Sequence, residues 1–209
     1  SPGTGLLCLE NTHNHKGGTA IAPERIDAAA EAAHERDVPV HVDGARLFNA
    51  AAACDVSGAR LVRAADSVMF CLSKGLGAPV GSMLAGPEPF VEEARRVRKL
   101  FGGGMRQAGM IAAPGLCALE NRDRLVEDHE NADRLAEGLA GIDGLAVTPP
   151  ETNIVLVDTP MPAAAFLEAC EAEGVLGVEF GEHRVRFCTN WDVDADDVER
   201  AVAAVERAV

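Results

Sequence analysis

Short apolar runs alternate with helical segments along this chain, and this alternation constrains its fold more than any other feature. Strands are predicted at residues 6–10, 38–43 and 67–72, because each run is short, apolar and bounded by turn-forming residues. A helix is predicted at residues 23–37, and two shorter helices are predicted within residues 46–65. Helical connections of this length join parallel strands. The sequence therefore predicts an α/β fold with a largely parallel sheet.

The pattern changes after residue 121. Before that point, a strand is predicted at residues 83–86 and helices at residues 88–100 and 106–120. Beyond it, a long charged helix is followed by short strands and helices. These later elements are helices at residues 123–139, 163–173 and 195–208 and strands at residues 153–157, 176–180 and 184–189. We therefore expect residues 1–122 to form part of one domain and residues 123–209 to form a small α/β domain.

The charge of the chain limits its partners. With 33 acidic and 19 basic residues, the formal net charge is −14, whereas nucleic acids and anionic membranes attract clustered basic residues. No apolar run approaches the ~18 residues of a membrane span. The six cysteines are scattered without CxxC spacing, which indicates reduced and mostly buried thiols in a cytoplasmic protein.

The acidic residues suggest a further property. Arginine is strongly preferred to lysine, which occurs only at Lys16, Lys74 and Lys99, and aromatic residues make up 4% of the chain. This composition resembles the surfaces of proteins from a salt-rich, halophilic cytoplasm. We expect salt to stabilise such a fold, because salt screens the repulsion between like charges.

Lys74 is the first candidate for chemistry. It follows the strand at residues 67–72 and begins a glycine-rich turn that ends at Gly81. Ligands of open α/β sheets bind at the carboxyl ends of the strands, and a lysine held against apolar surroundings loses its proton more easily and can form a Schiff base. The alternative is a solvated lysine in a turn. Because the chain otherwise prefers arginine, we favour the chemical role.

Asp43 is expected at the same edge of the sheet, since it ends the strand at residues 38–43. A carboxylate there suits a protonated heterocycle such as the ring of pyridoxal phosphate, although it would equally cap the following helix. Arg46, one turn into that predicted helix, is either a surface arginine or a bidentate partner for a substrate carboxylate.

Four segments together resemble the L-threonine aldolases, fold type I pyridoxal phosphate enzymes that cleave threonine or allo-threonine to glycine and acetaldehyde. The segments are residues 9–14, 41–46, 71–82 and 99–107, and they occur in order. The resemblance implies the C-terminal part of the family's large domain, a mostly parallel sheet with helices on both faces, followed by the small α/β domain. It also implies an amino acid substrate, pyridoxal phosphate as the cofactor and no metal.

The resemblance also implies roles for individual residues. Lys74 would be the catalytic lysine that forms the Schiff base, and Asp43 would pair with the ring nitrogen. Arg46 would help to hold the substrate carboxylate, and Arg186 matches the carboxylate-binding arginine of the small domain. From sequence alone, Arg186 is equally a polar residue on an alternating strand. Ser73 would contact the cofactor phosphate, although serine before lysine is common in turns.

The glycine-rich segment at residues 102–104 resembles a loop that, in this family, reaches the active site of a neighbouring subunit. Arg106 would then bind the cofactor phosphate at a helix N-terminus, and Lys99 would contribute to substrate binding. Glycines alone would indicate only a loop. Active sites shared in this way imply a homodimer or a homotetramer.

The family's phosphate loop, ring-stacking residue and catalytic histidines lie upstream of the matched segments. Since a strand is predicted close to Ser1 and no targeting peptide is found, we expect this chain to begin inside a larger protein, to leave an apolar sheet edge exposed and to be inactive alone. The histidines, including His13 and His41, are then expected to be structural or on the surface.

Other functions stay open at this point. Other fold type I enzymes use the same lysine and aspartate: β-eliminating lyases, amino acid racemases and relatives of serine hydroxymethyltransferase. A non-catalytic homologue that keeps the fold is a further alternative. The joint presence of Lys74, Asp43, Arg46 and Arg186 argues against it, because a scaffold needs none of them.

Overall fold

A computed structural model describes residues 3–209, which divide into two compact units. Unit 1 extends to Thr12 and continues over Ala20–Asp123, while unit 2 contains His13–Thr19 and Arg124–Val209. The short segment His13–Thr19 therefore belongs with the C-terminal part of the chain, although unit 1 precedes and follows it in sequence.

Unit 1 is built on a mixed four-stranded sheet in the order β1-β2-β3-β4. Its strands are β1 Leu7–Glu10, β2 Val40–Gly44, β3 Ser67–Cys71 and β4 Ser82–Ala85. The first three strands are parallel and β4 is antiparallel to β3. The parallel arrangement expected from the alternation of strands and helices is confirmed for β1 to β3, where helical crossovers connect the strands.

The helices of unit 1 begin and end where local chemistry favours it. They are α1 Pro23–His34, α2 Leu47–Ala53, α3 Gly58–Leu61, α4 Glu88–Leu100 and α5 Gly109–Glu120. Proline at the first position starts α1, and the side chain of Ser57 accepts a hydrogen bond from Arg60 N at the start of α3. Ile26, Val42 and Leu61 are fully buried among these elements and form the core that holds the helices against the sheet.

Unit 2 is an antiparallel sheet in the order β5-β6-β8-β7 with helices packed on it. Its elements are α6 Leu125–Ala140, β5 Ala146–Thr148, β6 Ile154–Asp158, α7 Ala163–Ala172, β7 Val178–Gly181, β8 Arg184–Cys188 and α8 Ala195–Ala208. The core centres on Phe166, Val155 and Val185, all fully buried. A capping box of Asp194 and Asp197 begins α8.

A buried polar cluster anchors the start of unit 2. Asp128 on α6 is fully buried, and Arg124 donates a hydrogen bond to it at 2.8 Å. The Arg124 guanidinium also lies 4.1 Å from the centre of the Trp191 ring, within the range of a cation–π contact. Burial raises the pKa of the Asp128 carboxyl, and the nearby charge of Arg124 opposes that rise.

Several sequence predictions need correction. The helix predicted from residue 106 begins at Gly109, so Arg106 lies in the preceding loop. Strand β5 was not predicted, because its three residues carry too short a pattern. The cysteines are free, as expected, but the expectation that most are buried is wrong, since within residues 3–209 only Cys170 is buried and Cys8 and Cys117 are exposed. Burial raises the pKa of the Cys170 thiol to about 11.

Unit 1 exposes more apolar surface than unit 2. Every residue of β4, at the edge of the sheet, is exposed. Helix α4 has no buried residue. Phe101, after α4, and Met110, in α5, are 83% and 86% exposed. None of the helices in residues 3–209 has the length and apolar character needed to cross a bilayer.

Asp66 fixes the start of β2 against β3. Its carboxylate accepts hydrogen bonds from Val40 N at 2.7 Å and from His34 Nε2 at 2.8 Å, while its own N–H donates to Val40 O at 2.9 Å. These bonds, with that from His34 the larger cause, hold the pKa of Asp66 below its ordinary value of 3.8.

We expect Asp66→Asn to lower the free energy of unfolding by about 1 kcal/mol at neutral pH, a modest value because the carboxylate is half exposed. The pKa of Asp66 is lower in the folded chain than in the unfolded one. The stability that the Asp66 carboxylate contributes is therefore present above pH about 4 and is lost as the pH falls through the lowered pKa. Urea unfolding at pH about 6 and pH about 3 should show that the difference in free energy of unfolding between wild type and variant becomes smaller in acid. A difference that is the same at both pH values would contradict this role of the Asp66 carboxylate. The matched control is Asp143→Asn, an exposed carboxylate in unit 2.

Candidate functional site

The parallel pairing of β2 and β3 brings Asp43 and the Lys74 turn to one edge of the sheet. Asp43 pairs with Met69 in the register of the two strands. At the end of β3, Cys71 N donates a hydrogen bond at 3.4 Å to Ala45 O, just beyond β2. A Cβ atom at Gly44 would lie 2.9 Å from Met69 O, so only glycine permits this close approach of the two strands. The predicted sharing of one edge by Asp43 and Lys74 follows from this register.

The turn that carries Lys74 is fixed by backbone hydrogen bonds. Leu72 N donates to Gly81 O at 2.9 Å, and Ala78 N donates to Leu72 O at 3.0 Å. Gly77 N donates to Lys74 O at 2.8 Å and closes a tight turn in which Gly77 has a φ of +79°, a conformation that favours glycine. The backbone position of Lys74 is therefore well defined although its side chain is exposed.

The surroundings of the Lys74 side chain differ from those expected. We expected apolar surroundings, but Lys74 is exposed in unit 1. Among the residues described, none forms a hydrogen bond or an ion pair with its amine. The amine is thus accessible and has no competing carboxylate.

Asp43 does not cap a helix. Helix α2 begins at Leu47, with Arg46 at the N-cap position, and no side chain caps it. The carboxylate of Asp43 instead accepts a hydrogen bond from Ala45 N at 3.1 Å, as in an Asx turn. The capping alternative is therefore wrong, and so is the expectation that Arg46 lies inside the helix. Asp43 is exposed and its second oxygen can accept a further hydrogen bond.

Asn11 supports Asp43 from β1, a role that sequence reasoning missed. Its backbone N–H donates to Asp43 O at 2.9 Å, and its buried amide exchanges two 3.0 Å hydrogen bonds with the backbone of Ile21. His41 is structural, as expected, since its Nδ1 lies 2.8 Å from Ser67 Oγ on the neighbouring strand. A buried amide after a strand was the signal available for Asn11, but it does not identify the partner.

The other predicted site residues of unit 1 are Ser73, Lys99 and Arg106. Ser73 Oγ donates a long 3.4 Å hydrogen bond to Gly81 O. Lys99 is in the last turn of α4 and Arg106 is in the loop before α5, both exposed. Within residues 3–209, no hydrogen bond or ion pair joins Lys99 or Arg106 to Asp43 or Lys74.

Arg186 lies on β8 of unit 2, opposite Leu156 of β6. Its Nη1 donates to Asn14 Oδ1 at 2.9 Å, and its guanidinium lies 5.2 Å from the centre of the Phe180 ring. The Nε of Arg186 is buried and has no partner in the described part of the chain. The sequence pointed to Arg186 but not to its contacts with Asn14 and Phe180, because both contacts depend on tertiary structure.

Comparison with known proteins gives one family. The family model described as Beta-eliminating lyase matches residues 1–161. Low-specificity L-threonine aldolase 1 of Arabidopsis thaliana is 41% identical over 215 residues, a match that covers 100% of this chain and 60% of the relative. Low specificity L-threonine aldolase of Escherichia coli is 43% identical over 204 residues, covering 96% of this chain and 59% of the relative.

The solved structures show the same fold. The threonine aldolase of Leishmania major superposes with a TM-score of 0.75 at 19% identity, covering 97% of this chain and 60% of that one. The α/β, fold type I architecture expected from the sequence is confirmed by this likeness. The chain spans about 60% of the length of the curated relatives that it matches.

Proposed function

The chain belongs to the β-eliminating lyase family, and on that premise we propose that it is part of a pyridoxal phosphate-dependent lyase that cleaves L-threonine and L-allo-threonine to glycine and acetaldehyde. Two relatives at 41% and 43% identity bear the name low-specificity L-threonine aldolase. The observation that carries the proposal is the position of Asp43 and of the Lys74 turn at one edge of the sheet, which follows from the register of β2 and β3.

The residues at this edge fit the reactive groups of the cofactor. An aldehyde needs an accessible amine, and Lys74 is exposed with no ion-pair partner in residues 3–209. A protonated ring nitrogen needs a carboxylate, and Asp43 has an exposed carboxylate of which one oxygen already accepts a hydrogen bond from Ala45 N. The second oxygen suits the ring nitrogen.

In the proposed mechanism, the amine of Lys74 would hold the cofactor. The bound cofactor supplies an electron sink for the bond between Cα and Cβ of the substrate. Asp43 keeps a proton on the ring nitrogen, and the Ala45 N–H orients the Asp43 carboxylate. Arg46 and Arg186 hold the substrate carboxylate through charge-assisted hydrogen bonds.

The cofactor phosphate and the remainder of the substrate site involve further residues. We assign phosphate contacts to Ser73 and Arg106 and a substrate contact to Lys99. Arg106 lies three residues before α5, whose first N–H groups also suit a phosphate. Unlike Lys74 and Asp43, these three residues are assigned from the family resemblance and from charge.

Elimination is the second candidate, because the matched family is named for β-elimination. The two reactions start from the same bound amino acid and give different products. Cleavage of threonine between Cα and Cβ yields glycine and acetaldehyde. Elimination yields ammonia and a keto acid.

We expect the full-length protein loaded with pyridoxal phosphate to release glycine and acetaldehyde from threonine in equal amounts. Lys74→Ala should abolish this release and the visible absorbance of the bound cofactor, because no other lysine occupies the strand end. Lys16→Ala is the matched control and should behave as wild type, since Lys16 is an exposed lysine of unit 2. Ammonia and a keto acid as the main products would instead establish elimination.

Asp43→Asn separates the role of Asp43 from that of Lys74. The variant should keep the absorbance of bound cofactor, because Lys74 is intact, while its kcat falls about 10²-fold or more, because the ring nitrogen loses its carboxylate partner. A kcat within about twofold of wild type would exclude the role assigned to Asp43.

We propose that the protein assembles as a homodimer or homotetramer through the exposed segment, defined as residues 95–116. This segment exposes large apolar side chains, including Phe101, Met105 and Met110. It also carries basic residues in a chain of net charge −14, so a second copy offers a surface of complementary charge. Apolar patches of this kind mark interfaces, and active sites shared between subunits would then involve Lys99 and Arg106.

Phe101→Glu should shift the purified protein toward monomer, because a buried carboxylate in an apolar interface is costly. Leu176→Glu is the control, since Leu176 of unit 2 is 76% exposed and lies outside the exposed segment. Sedimentation velocity measures the oligomeric state of both variants. A Phe101→Glu variant that sediments as wild type would rule out Phe101 as an interface residue.

We also propose a cytoplasmic, salt-rich setting for the enzyme. The free cysteines of residues 3–209, two of them exposed, suit a reducing compartment. The excess of acidic residues suits high salt, where repulsion between carboxylates is screened.

A further inference from the structure

Arg186 is held by a turn that is distant in sequence. The turn consists of His13–Thr19, and it includes a short 3₁₀ helix, Asn14–Lys16. Asn14 Oδ1 in this turn accepts the hydrogen bond from Arg186 Nη1 at 2.9 Å. This hydrogen bond orients the guanidinium, and its two partners are 172 residues apart in sequence.

The turn is rigid, so Asn14 has a fixed position. His13 N donates to Thr19 O at 3.0 Å, and Gly18 N donates back to His13 O at 3.0 Å. Gly17 N donates to Asn14 O at 3.1 Å, and Gly17 has a φ of +76°, which favours glycine. Thr152 Oγ1 closes the arrangement with a 2.9 Å bond to Gly18 O.

The turn packs on the strand that pairs with β8. A Cβ atom at Gly17 would lie 3.1 Å from Leu156 Cδ1, and one at Gly18 would lie 2.4 Å from Thr152 Oγ1. Leu156 is the partner of Arg186 in the sheet register. The two glycines therefore let the turn approach the sheet closely enough for Asn14 to reach Arg186.

The guanidinium of Arg186 is oriented but not satisfied. Phe180 lies against it at 5.2 Å, and the His15 ring lies 5.2 Å from the Phe180 ring on the same side of unit 2. Of the guanidinium nitrogens, Nη1 donates to Asn14 Oδ1, and the buried Nε has no partner in residues 3–209. A buried N–H without a partner is unfavourable. Asn14 thus holds a cation whose other N–H groups are left for a ligand.

We propose that Asn14 is a positioning residue for Arg186, setting the orientation in which the guanidinium receives the carboxylate of an amino acid substrate. This inference rests on the proposed function of Arg186 as a carboxylate-binding residue. Asn14 is neutral, so it orients the guanidinium without competing for its charge. An aspartate at this position would pair with Arg186 and repel the substrate carboxylate.

A double-mutant cycle on the full-length enzyme tests the proposal. Asn14→Ala should raise the KM for threonine about 10-fold with kcat nearly unchanged, and Arg186→Ala should raise KM about 100-fold. Adding Asn14→Ala to Arg186→Ala should change KM no further, because Asn14 acts through Arg186. Asn14→Asp should raise KM at least as much as Asn14→Ala. Lys16→Ala, in the same turn, should leave KM unchanged.

A crystal structure of Asn14→Ala gives a readout that does not depend on activity. We expect the turn to be unchanged and the Arg186 guanidinium to have rotated or become disordered. An unmoved guanidinium, a wild-type KM in Asn14→Ala or a full 10-fold effect of Asn14→Ala in the Arg186→Ala background would overturn the proposal. If Arg186→Ala itself leaves KM unchanged, the carboxylate-binding role of Arg186 fails as well, which distinguishes the two failures.

Discussion

The parallel pairing of β2 with β3 is the constraint on which the rest of this structure depends. It places the end of one strand, with Asp43, beside the start of the turn that carries Lys74. Gly44 permits the close approach, since a Cβ there would meet Met69 O at 2.9 Å. Neither side chain needs a direct contact with the other. One register fixes two separate backbone positions, and in the function that we propose these would hold the two reactive groups of the cofactor.

Arg186 of unit 2 is oriented by a different principle. Arg186 is not at the end of a parallel strand but in the middle of an antiparallel one, and its orientation comes from a turn contributed by the N-terminal part of the chain. The glycines at positions 17 and 18 allow that turn to pack on β6. A hydrogen bond to a rigid amide orients the flexible guanidinium without neutralising its charge, because the amide is itself uncharged.

The sequence predicted the elements and the sheet edge well, because strand ends and glycine turns have local signatures. Asp43 and Lys74 could be placed on the same edge from the pattern alone. The exposure of the Lys74 side chain could not be predicted, because it depends on what packs over the turn. The contacts of Asn14 with Arg186 and of Asn11 with Asp43 were missed for a related reason, since each partner lies on a strand distant in sequence. The start of α5 was misplaced because Gln107, with a φ of +52°, interrupts a segment whose composition favours a helix.

The central claim is that Lys74 is the amine to which pyridoxal phosphate is bound. The most direct measurement is borohydride reduction of the loaded full-length protein, followed by mass spectrometry of its peptides. Reduction fixes the cofactor to the amine that holds it. The account predicts the added mass on the peptide that contains Lys74 and on neither of those that contain Lys16 and Lys99. The added mass on either of the other two peptides, with Lys74 unmodified, would contradict it.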